Sequence, residues 1–294
     1  MAIVGNYVLI TPTKDEENLI GVTIESVVNQ TVLPLEWVIV SDGSTDGTEC
    51  IVRAAMLKHS WIRLVSLPKR NYRSFSSVVH ATEAGIQALT NKDYEYLGLL
   101  DSDLKFSPPH FEILIAEFNY SPRLGLAGPA VFDPGEAKTR LPRNRLDVPG
   151  ACQFFRRNCF EALGGLLAIP EGGWDALTCA RARMLSYETR LVVGLAVDHL
   201  KPRSSAEGGL LLRQWKLGFR DHALGAHAMF ELCKCISRTL ERPLIVGTVI
   251  RLAGFLYASA SRRKRNIPTE LMNFIRREQA ERLQCLVMLR RRKQ

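Results

Sequence analysis

The first 130 residues alternate between short apolar runs and longer amphipathic stretches, and this alternation limits the possible folds most strongly. Runs of strand length occupy residues 7–11, 36–41, 62–67, 96–100 and 124–131, and helical patterns at residues 17–29, 44–58, 75–89 and 108–118 separate them. This alternation predicts βαβ units and an α/β fold, a mostly parallel sheet flanked by helices. Beyond residue 206 only helical patterns occur. We therefore expect one α/β domain over residues 1–205 and a helical C-terminal region over residues 206–294.

The excess of basic residues is concentrated at the C-terminal end of the chain. The net charge is +9, and residues 262–294 contain eleven Lys and Arg but only three Glu. The preceding residues are nearly neutral, so the basic tail says little about the α/β domain. The seven cysteines are odd in number and form no CxxC pair, which favours buried, reduced thiols. The N-terminus lacks the pattern of a signal peptide, and we expect a cytoplasmic protein.

Polar residues follow three of the predicted strands. Residues 11–16 (TPTKDE) follow the first, Asp42 opens the segment DGSTDG after the second, and Asp101 and Asp103 follow the fourth. In a parallel sheet the ligand lies beyond the carboxyl ends of the strands, so these residues should share one crevice. Paired carboxylates suit Mg²⁺ or Mn²⁺, although Asp is also common in strand-end turns. Asp42 could accept a hydrogen bond from a nucleobase or a ribose, whereas Asp46 is explained as a helix cap.

Six segments together resemble the family 2 glycosyltransferases, which have the Rossmann-like GT-A fold. They occur in the family's order and spacing and extend over about residues 5–200. The matching segments are residues 10–18 (ITPTKDEEN), 25–30 (ESVVNQ), 37–46 (WVIVSDGSTD), 100–103 (LDSD), 148–151 (VPGA) and 173–175 (GWD). The resemblance implies an inverting enzyme that moves a sugar from a nucleoside-diphosphate sugar to an acceptor hydroxyl, with Mg²⁺ or Mn²⁺ as cofactor.

The resemblance also implies which residues bind the donor. Asp42 would bind the edge of a uracil-like base, which favours a UDP-sugar, and Asp101 would lie near the ribose. The other expected donor-binding residues are Pro12, Thr13, Arg70, Asn71, Ser102, Gly150, Trp174 and Arg203. Arg70 and Asn71 depart from the family pattern, because Tyr72 follows them where glycines are usual. Arg203 belongs to a basic loop that could close over the diphosphate.

Asp175, Asp103 and His199 are expected to carry out or support the chemistry. The resemblance implies that Asp175 is the general base, although Asp is also a common helix N-cap. Asp103 would bind the metal ion that bridges the diphosphate. His199 follows the last strand, where some family members place a third metal ligand; a structural histidine is the alternative.

Residues 243–260 (PLIVGTVIRLAGFLYASA) are apolar except for Arg251, and a basic cluster at residues 262–265 follows them. The segment is marginal for a membrane-spanning helix, which needs about 20 apolar residues. An interfacial or re-entrant segment fits better, and a buried helix is the alternative. We expect residues 243–265 to bind the inner face of the cell membrane peripherally. A carbohydrate or lipid-linked acceptor, in polysaccharide or glycolipid assembly, would suit this location.

Two other functions compete with this interpretation. A metal-dependent nucleotidyltransferase would also use an α/β domain, but it would need a Gly-rich basic loop after the first strand, where this chain has Lys14 and Asp15. A nucleic-acid-binding protein could use the basic tail, but no aromatic residues lie between Arg276 and Lys293. We therefore expect no specific nucleic-acid partner. The complete set of Asp42, Asp101, Asp103 and Asp175 argues against a non-catalytic relative.

Overall fold

The computed structural model describes residues 5–69, 75–138, 144–202, 209–239 and 244–291. The chain divides into two compact units. The N-terminal unit comprises residues 1–170 and 174–203, and the C-terminal unit comprises residues 171–173 and 204–294.

One sheet of eight strands forms the centre of the N-terminal unit. The strands are β1 (Tyr7–Thr13), β2 (Glu36–Asp42), β3 (Ile62–Leu67), β4 (Tyr96–Leu100), β5 (Leu104–Lys105), β6 (Leu124–Phe132), β7 (Cys152–Arg156) and β8 (Glu188–His199). Their spatial order is β3-β2-β1-β4-β7-β6-β8-β5. Neighbouring strands are parallel from β3 to β4 and between β6 and β8, whereas β7 and β5 run antiparallel to their neighbours. The predicted α/β, mostly parallel architecture is confirmed.

Helices cover both faces of the sheet and form the C-terminal unit. In the described residues of the N-terminal unit they are α1 (Ile20–Val28), α2 (Thr48–Met56), α3 (Phe75–Ala88), α4 (His110–Tyr120), α5 (Arg157–Leu163) and α6 (Trp174–Met184). Those of the C-terminal unit are α7 (Leu210–Ala223), α8 (Ala228–Ile236), α9 (Val246–Ala260) and α10 (Thr269–Arg291).

Alternate residues of the central strands enter two separate hydrophobic cores. Tyr7 and Leu9 of β1 pack in one core, whereas Val8 and Ile10 pack in the other. The first core includes buried residues of α1, α2 and α4, and the second includes buried residues of α3, α5 and α6. Each fully buried large side chain contributes roughly 1.5–3 kcal/mol relative to exposure. Burial on both faces explains why these strands are continuous apolar runs.

The strand directions bring many chain segments to one edge of the sheet. Because β7 is antiparallel to both β4 and β6, the carboxyl ends of β1, β2, β4, β6 and β8 all lie at the same edge, together with the amino end of β7. The two-residue strand β5 was not predicted, because so short a segment has no periodicity. It directly follows Asp103 and pairs with β8 through Leu104 and His199.

The C-terminal unit contains a very close helix crossing and a buried ion network. At Gly218 of α7 and Gly254 of α9, an added Cβ atom would collide with backbone oxygens of the facing helix. Arg251 of α9 is buried, and its Nε atom lies 2.9 Å from Asp221 Oδ2 and 3.1 Å from Glu231 Oε1. The central arginine of the apolar segment 243–260 is therefore neutralised by carboxylates on α7 and α8.

No helix in the described part of the chain is both long and apolar enough to cross a bilayer. All seven cysteines are free thiols; four are buried and Cys233 is partly buried, whereas Cys50 and Cys285 are exposed.

Candidate active site

The strand ends place most of the predicted site residues along one edge of the sheet. Asp42 is the last residue of β2, and Asp101 follows β4 directly. The Asp101 amide donates to the Ala151 carbonyl at the start of β7, over 2.8 Å. Asp103 lies beside the end of β8, because its carbonyl accepts from the amide of Leu200 over 2.8 Å.

Asp101, Asp103 and His199 form a compact group that could hold a metal ion. One ligand atom from each lies within 4.8 Å of the others. Asp103 and His199 are buried, and Ser102 between the two aspartates is buried as well. Burial, and then the negative charge of Asp103, raises the pKa of Asp101 to about 7. A divalent cation would relieve this repulsion, and two carboxylates with an imidazole form a donor set that suits Mg²⁺ or Mn²⁺.

The hydrogen bonding of His199 fits a metal-ligand role. Its Nδ1 atom is hydrogen-bonded to the backbone carbonyl of Lys201. Because a carbonyl oxygen only accepts, Nδ1 carries the proton, and in the neutral ring Nε2 keeps its lone pair. Nε2 faces Asp103 Oδ1 at 3.4 Å. Metal-binding histidines are commonly oriented in this way, with the second nitrogen donating to a backbone carbonyl.

Three charged residues that were not among the predicted site residues surround this group. The Lys201 ammonium lies 3.2 Å from Asp103 Oδ2 and also contacts the carboxylate of Glu16. Asp133, which directly follows β6, has its Oδ1 atom 3.9 Å from His199 Nδ1. The same strand-end rule that found Asp42 and Asp101 could have found Asp133.

Asp175 lies in the first turn of α6, and the loop just before β7 holds it in place. The amide of Gly150 donates to Asp175 Oδ2 over 3.1 Å. A Cβ atom at position 150 would lie only 2.9 Å from the Trp174 ring and 3.1 Å from Asp175 Cβ, so the approach requires glycine. Buried Gln153 supports this segment by donating to the Val148 carbonyl over 3.0 Å. Asp175 also raises the pKa of Asp101, after the larger effects of burial and Asp103.

The end of β1 lies beside Asp42, because β1 and β2 pair in parallel. Lys14 Nζ lies 4.0 Å from the buried Asp42 carboxylate. Pro12 is partly exposed, and Thr13 is buried. The buried Thr13 hydroxyl has no hydrogen-bond partner among the described residues.

The structure thus brings Asp101, Asp103 and His199 into direct proximity and places Asp42 and Asp175 on the same edge of the sheet. Arg70, Asn71 and Arg203 lie outside the described residues.

Solved structures of glycosyltransferases have the same fold. A mannosyltransferase, PcManGT from Pyrobaculum calidifontis in complex with GDP-Man and Mn²⁺, is 18% identical, and the alignment covers 88% of each chain with a TM-score of 0.59. S. aureus TarS in complex with UDP-GlcNAc is 14% identical over 87% of this chain and 73% of the other, with a TM-score of 0.53. The chain therefore belongs to the structural class with the GT-A fold.

The amino-acid sequence identifies the family within this class. The profile of the glycosyl transferase family 2 matches residues 8–168, more than half of the chain, and this chain belongs to that family. Chondroitin synthase from Pasteurella multocida (strain Pm70) is 31% identical over 107 residues, which are 36% of this chain but 10% of that protein. Chondroitin synthase from Escherichia coli is 33% identical over 95 residues, which are 32% of this chain and 12% of that protein. The chain thus spans about a tenth of the length of these relatives.

The family assignment confirms the predicted resemblance and favours a glycosyltransferase over a nucleotidyltransferase or a nucleic-acid-binding protein. The matched range includes Asp42, Asp101, Asp103 and Gly150, and it ends before Asp175 and His199.

Proposed function

We propose that this chain is an inverting glycosyltransferase that moves a sugar from a UDP-sugar to an acceptor hydroxyl. The observation that carries the proposal is the group of Asp101, Asp103 and His199 on the sheet edge that also carries Asp42 and Asp175. We assign catalysis to the predicted domain, residues 1–205.

The donor would bind across the carboxyl ends of β1, β2 and β4. Asp42 is buried and can accept a hydrogen bond from a uracil imide, and Thr13 has an unpartnered hydroxyl next to it. Asp101 would lie near the ribose. Arg70, Asn71 and Arg203 remain predicted contacts to the nucleotide.

Mg²⁺ or Mn²⁺, held by Asp103 and His199, would neutralise negative charge on the diphosphate as a Lewis acid. The mannosyltransferase PcManGT and GalNAc-T7 were both crystallised with Mn²⁺, which supports this choice of cofactor. Lys201 supplies an ammonium beside Asp103, and it could also bind a phosphate oxygen of the donor.

Asp175 would act as the general base on the acceptor. As the acceptor oxygen forms its bond to the anomeric carbon, the bond from that carbon to the diphosphate breaks, and Asp175 takes the hydroxyl proton. A positioned base of this kind contributes about 10²–10⁴ in rate. A single displacement inverts the anomeric configuration. The Gly150 amide orients the carboxylate by donating to Asp175 Oδ2.

The acceptor would be a carbohydrate or a lipid-linked sugar. Chondroitin synthase and hyaluronan synthase, which share about 31% identity with part of this chain, are named for polysaccharide products. This likeness supports a role in polysaccharide or glycolipid assembly.

Thermal unfolding with UDP, GDP and dTDP, each with and without Mn²⁺, tests the donor assignment. A ligand at 100 times its Kd stabilises the folded state by about 2.7 kcal/mol, so the correct nucleotide should raise the Tm measurably only when Mn²⁺ is present. The Asp175→Asn variant should keep this shift but lose transfer. NMR of the product should show the inverted anomer. Normal transfer by Asp175→Asn, or a retained anomeric configuration, would contradict the mechanism.

A further inference from the structure

Helices α8 and α9 of the C-terminal unit expose apolar residues and bury charged ones, the reverse of an ordinary surface helix. In α9 the exposed positions are 246, 249, 253, 256, 257, 259 and 260, and all are apolar apart from Ser259 and the Tyr257 hydroxyl. Its buried side instead contains Arg251. In α8, Met229, Leu232 and Ile236 are exposed, whereas Glu231 is fully buried.

The buried charges of α7, α8 and α9 form one network of ion pairs. Arg251 contacts Asp221 and Glu231, and Lys234 Nζ lies 2.9 Å from Asp221 Oδ1 and 3.2 Å from Glu231 Oε2. Two cations therefore neutralise two carboxylates, which offsets the free-energy cost of burying these charges. The charged side chains of these helices point inward, and apolar side chains are left on the outside.

The exposed apolar residues are concentrated in this unit. Twelve of the nineteen exposed large hydrophobic side chains in the described residues belong to it, although the unit is about a third of the chain. We call these twelve residues the apolar surface: Leu210, Leu211, Leu212, Met229, Leu232, Ile236, Leu244, Ile245, Val246, Val249, Leu256 and Tyr257. Exposed large apolar side chains that are concentrated in one unit are typical of a surface that contacts a protein or a membrane.

Basic residues lie directly beside the end of α9. Arg262, Arg263 and Arg265 line an open pocket of about 380 Å³ together with His222, Ser259, Ile267, Thr269 and Met272. None of these three arginines forms an ion pair with a carboxylate in the part of the chain that the structure describes. The pocket is large enough for a small polar group, and its guanidinium and hydroxyl groups are typical ligands of a phosphate.

We propose that the C-terminal unit docks onto an anionic membrane surface, with the apolar surface in the acyl boundary and a lipid phosphate in the arginine pocket. A second copy of the chain fits less well, because it would bring the same arginines together. The 15 residues of α9 span only about 22 Å, less than the roughly 30 Å of a hydrocarbon core, so the helix would lie in the interface. The proposal does not depend on the donor chemistry of the N-terminal unit.

Vesicle sedimentation of the full chain tests this proposal. The protein should sediment with phosphatidylcholine vesicles that contain phosphatidylglycerol, and much less with phosphatidylcholine alone. The double variant Leu256→Ser/Tyr257→Ser should lower the partition coefficient more than about tenfold, because two apolar side chains leave the acyl boundary. The matched control is Leu57→Ser/Tyr120→Ser, which removes two exposed apolar residues of the N-terminal unit and should change nothing.

The pocket is tested in the same assay. Arg262→Gln/Arg263→Gln should lower binding to anionic vesicles by about thirtyfold, the effect expected for two basic residues near the surface. Arg53→Gln/Lys58→Gln, two exposed basic residues of α2 and the turn after it, should have no effect.

Three results would overturn the proposal: no sedimentation with anionic vesicles, equal losses in the control variants, or a dimer in solution that Leu256→Ser/Tyr257→Ser converts to monomer. The last result would assign the apolar surface to a second copy. All variants should keep the nucleotide-dependent rise in Tm, which separates this test from that of the proposed function.

Discussion

The amide nitrogen of Gly150 lies 3.1 Å from Asp175 Oδ2, so the chain just before β7 fixes the carboxylate proposed as general base. The contact joins a loop to the first turn of α6, twenty-five residues further along the chain. Because a Cβ atom at position 150 would lie 2.9 Å from the Trp174 ring, a larger residue there would have to displace the ring or the loop.

Gly150→Ala should therefore lower the transfer rate by about 10²-fold, the cost of displacing a catalytic group by about 1 Å. The Tm shift with nucleotide and Mn²⁺ should persist. Gly21→Ala is the matched control, because nothing lies within 4 Å of its added Cβ atom, and it should leave the rate unchanged. Steady-state kinetics of both variants measures the difference, and an unaltered rate in Gly150→Ala would refute the positioning role.

His199→Ala should weaken Mn²⁺ binding at least about tenfold, because even residues that only orient metal ligands have effects of this size. Calorimetric titration with Mn²⁺ in the presence of UDP measures the affinity. His80→Ala, on α3, provides a control in which an exposed histidine is lost. Equal affinities in the wild-type protein and His199→Ala would remove His199 from the metal site.

Lys201→Met should strengthen Mn²⁺ binding in the absence of nucleotide. The ammonium lies 3.2 Å from Asp103 Oδ2 and competes with a cation for this carboxylate. The expected gain is about fivefold, which corresponds to about 1 kcal/mol for a partly exposed ion pair. If the diphosphate also contacts Lys201, the same variant should bind UDP more weakly. Weaker Mn²⁺ binding would show that the lysine does not compete with the metal.

Arg251→Met should destabilise the protein by about 3–5 kcal/mol, because it leaves the buried Asp221 and Glu231 without their arginine. Arg262→Met, at an exposed position, should change the free energy of unfolding by less than about 0.5 kcal/mol. Denaturant unfolding followed by circular dichroism compares the two variants. Equal stability would mean that Arg251 is not part of a buried network.

Glu36 should make folding stability depend on pH in acid. Burial raises its pKa, but hydrogen bonds from Asn91, Arg63 and Thr90 outweigh burial, and the pKa is lowered from 4.5. The stabilisation is therefore complete above about pH 4.5 and is lost as the pH falls through the lowered pKa.

Glu36→Gln should remove this part of the pH dependence and cost about 1.5–3 kcal/mol at neutral pH. Glu25→Gln, at an exposed position of α1, should do neither. Unfolding curves between pH 3 and pH 7 measure both effects, and parallel pH profiles for wild type and Glu36→Gln would contradict the prediction.

The sequence predicted the first four strands closely, because their buried residues form apolar runs that end at polar turns. It also predicted which strand ends carry Asp42, Asp101 and Asp103. It did not predict β5, because a two-residue strand shows no periodicity. It did not predict the antiparallel direction of β7 either, because strand direction depends on pairing between segments that are distant in the sequence.

The contacts of Lys201 and Glu16 around the acidic group could not be assigned for the same reason. The ion pair between Glu16 and Lys201 joins residues 185 positions apart, and no local pattern links them. The segment 243–260 was predicted to be apolar with an unfavourable central charge. Only the structure shows that Asp221 and Glu231 neutralise this charge.

The pairing of β5 with β8 has a consequence for how the protein is made. Asp101 and Asp103 leave the ribosome almost one hundred residues before His199, and the matched family region ends at residue 168. A nascent chain that has completed this region still lacks the His199 imidazole and strand β8, which positions it. Full affinity for the metal ion should therefore arise late in synthesis, only after β8 has joined the sheet.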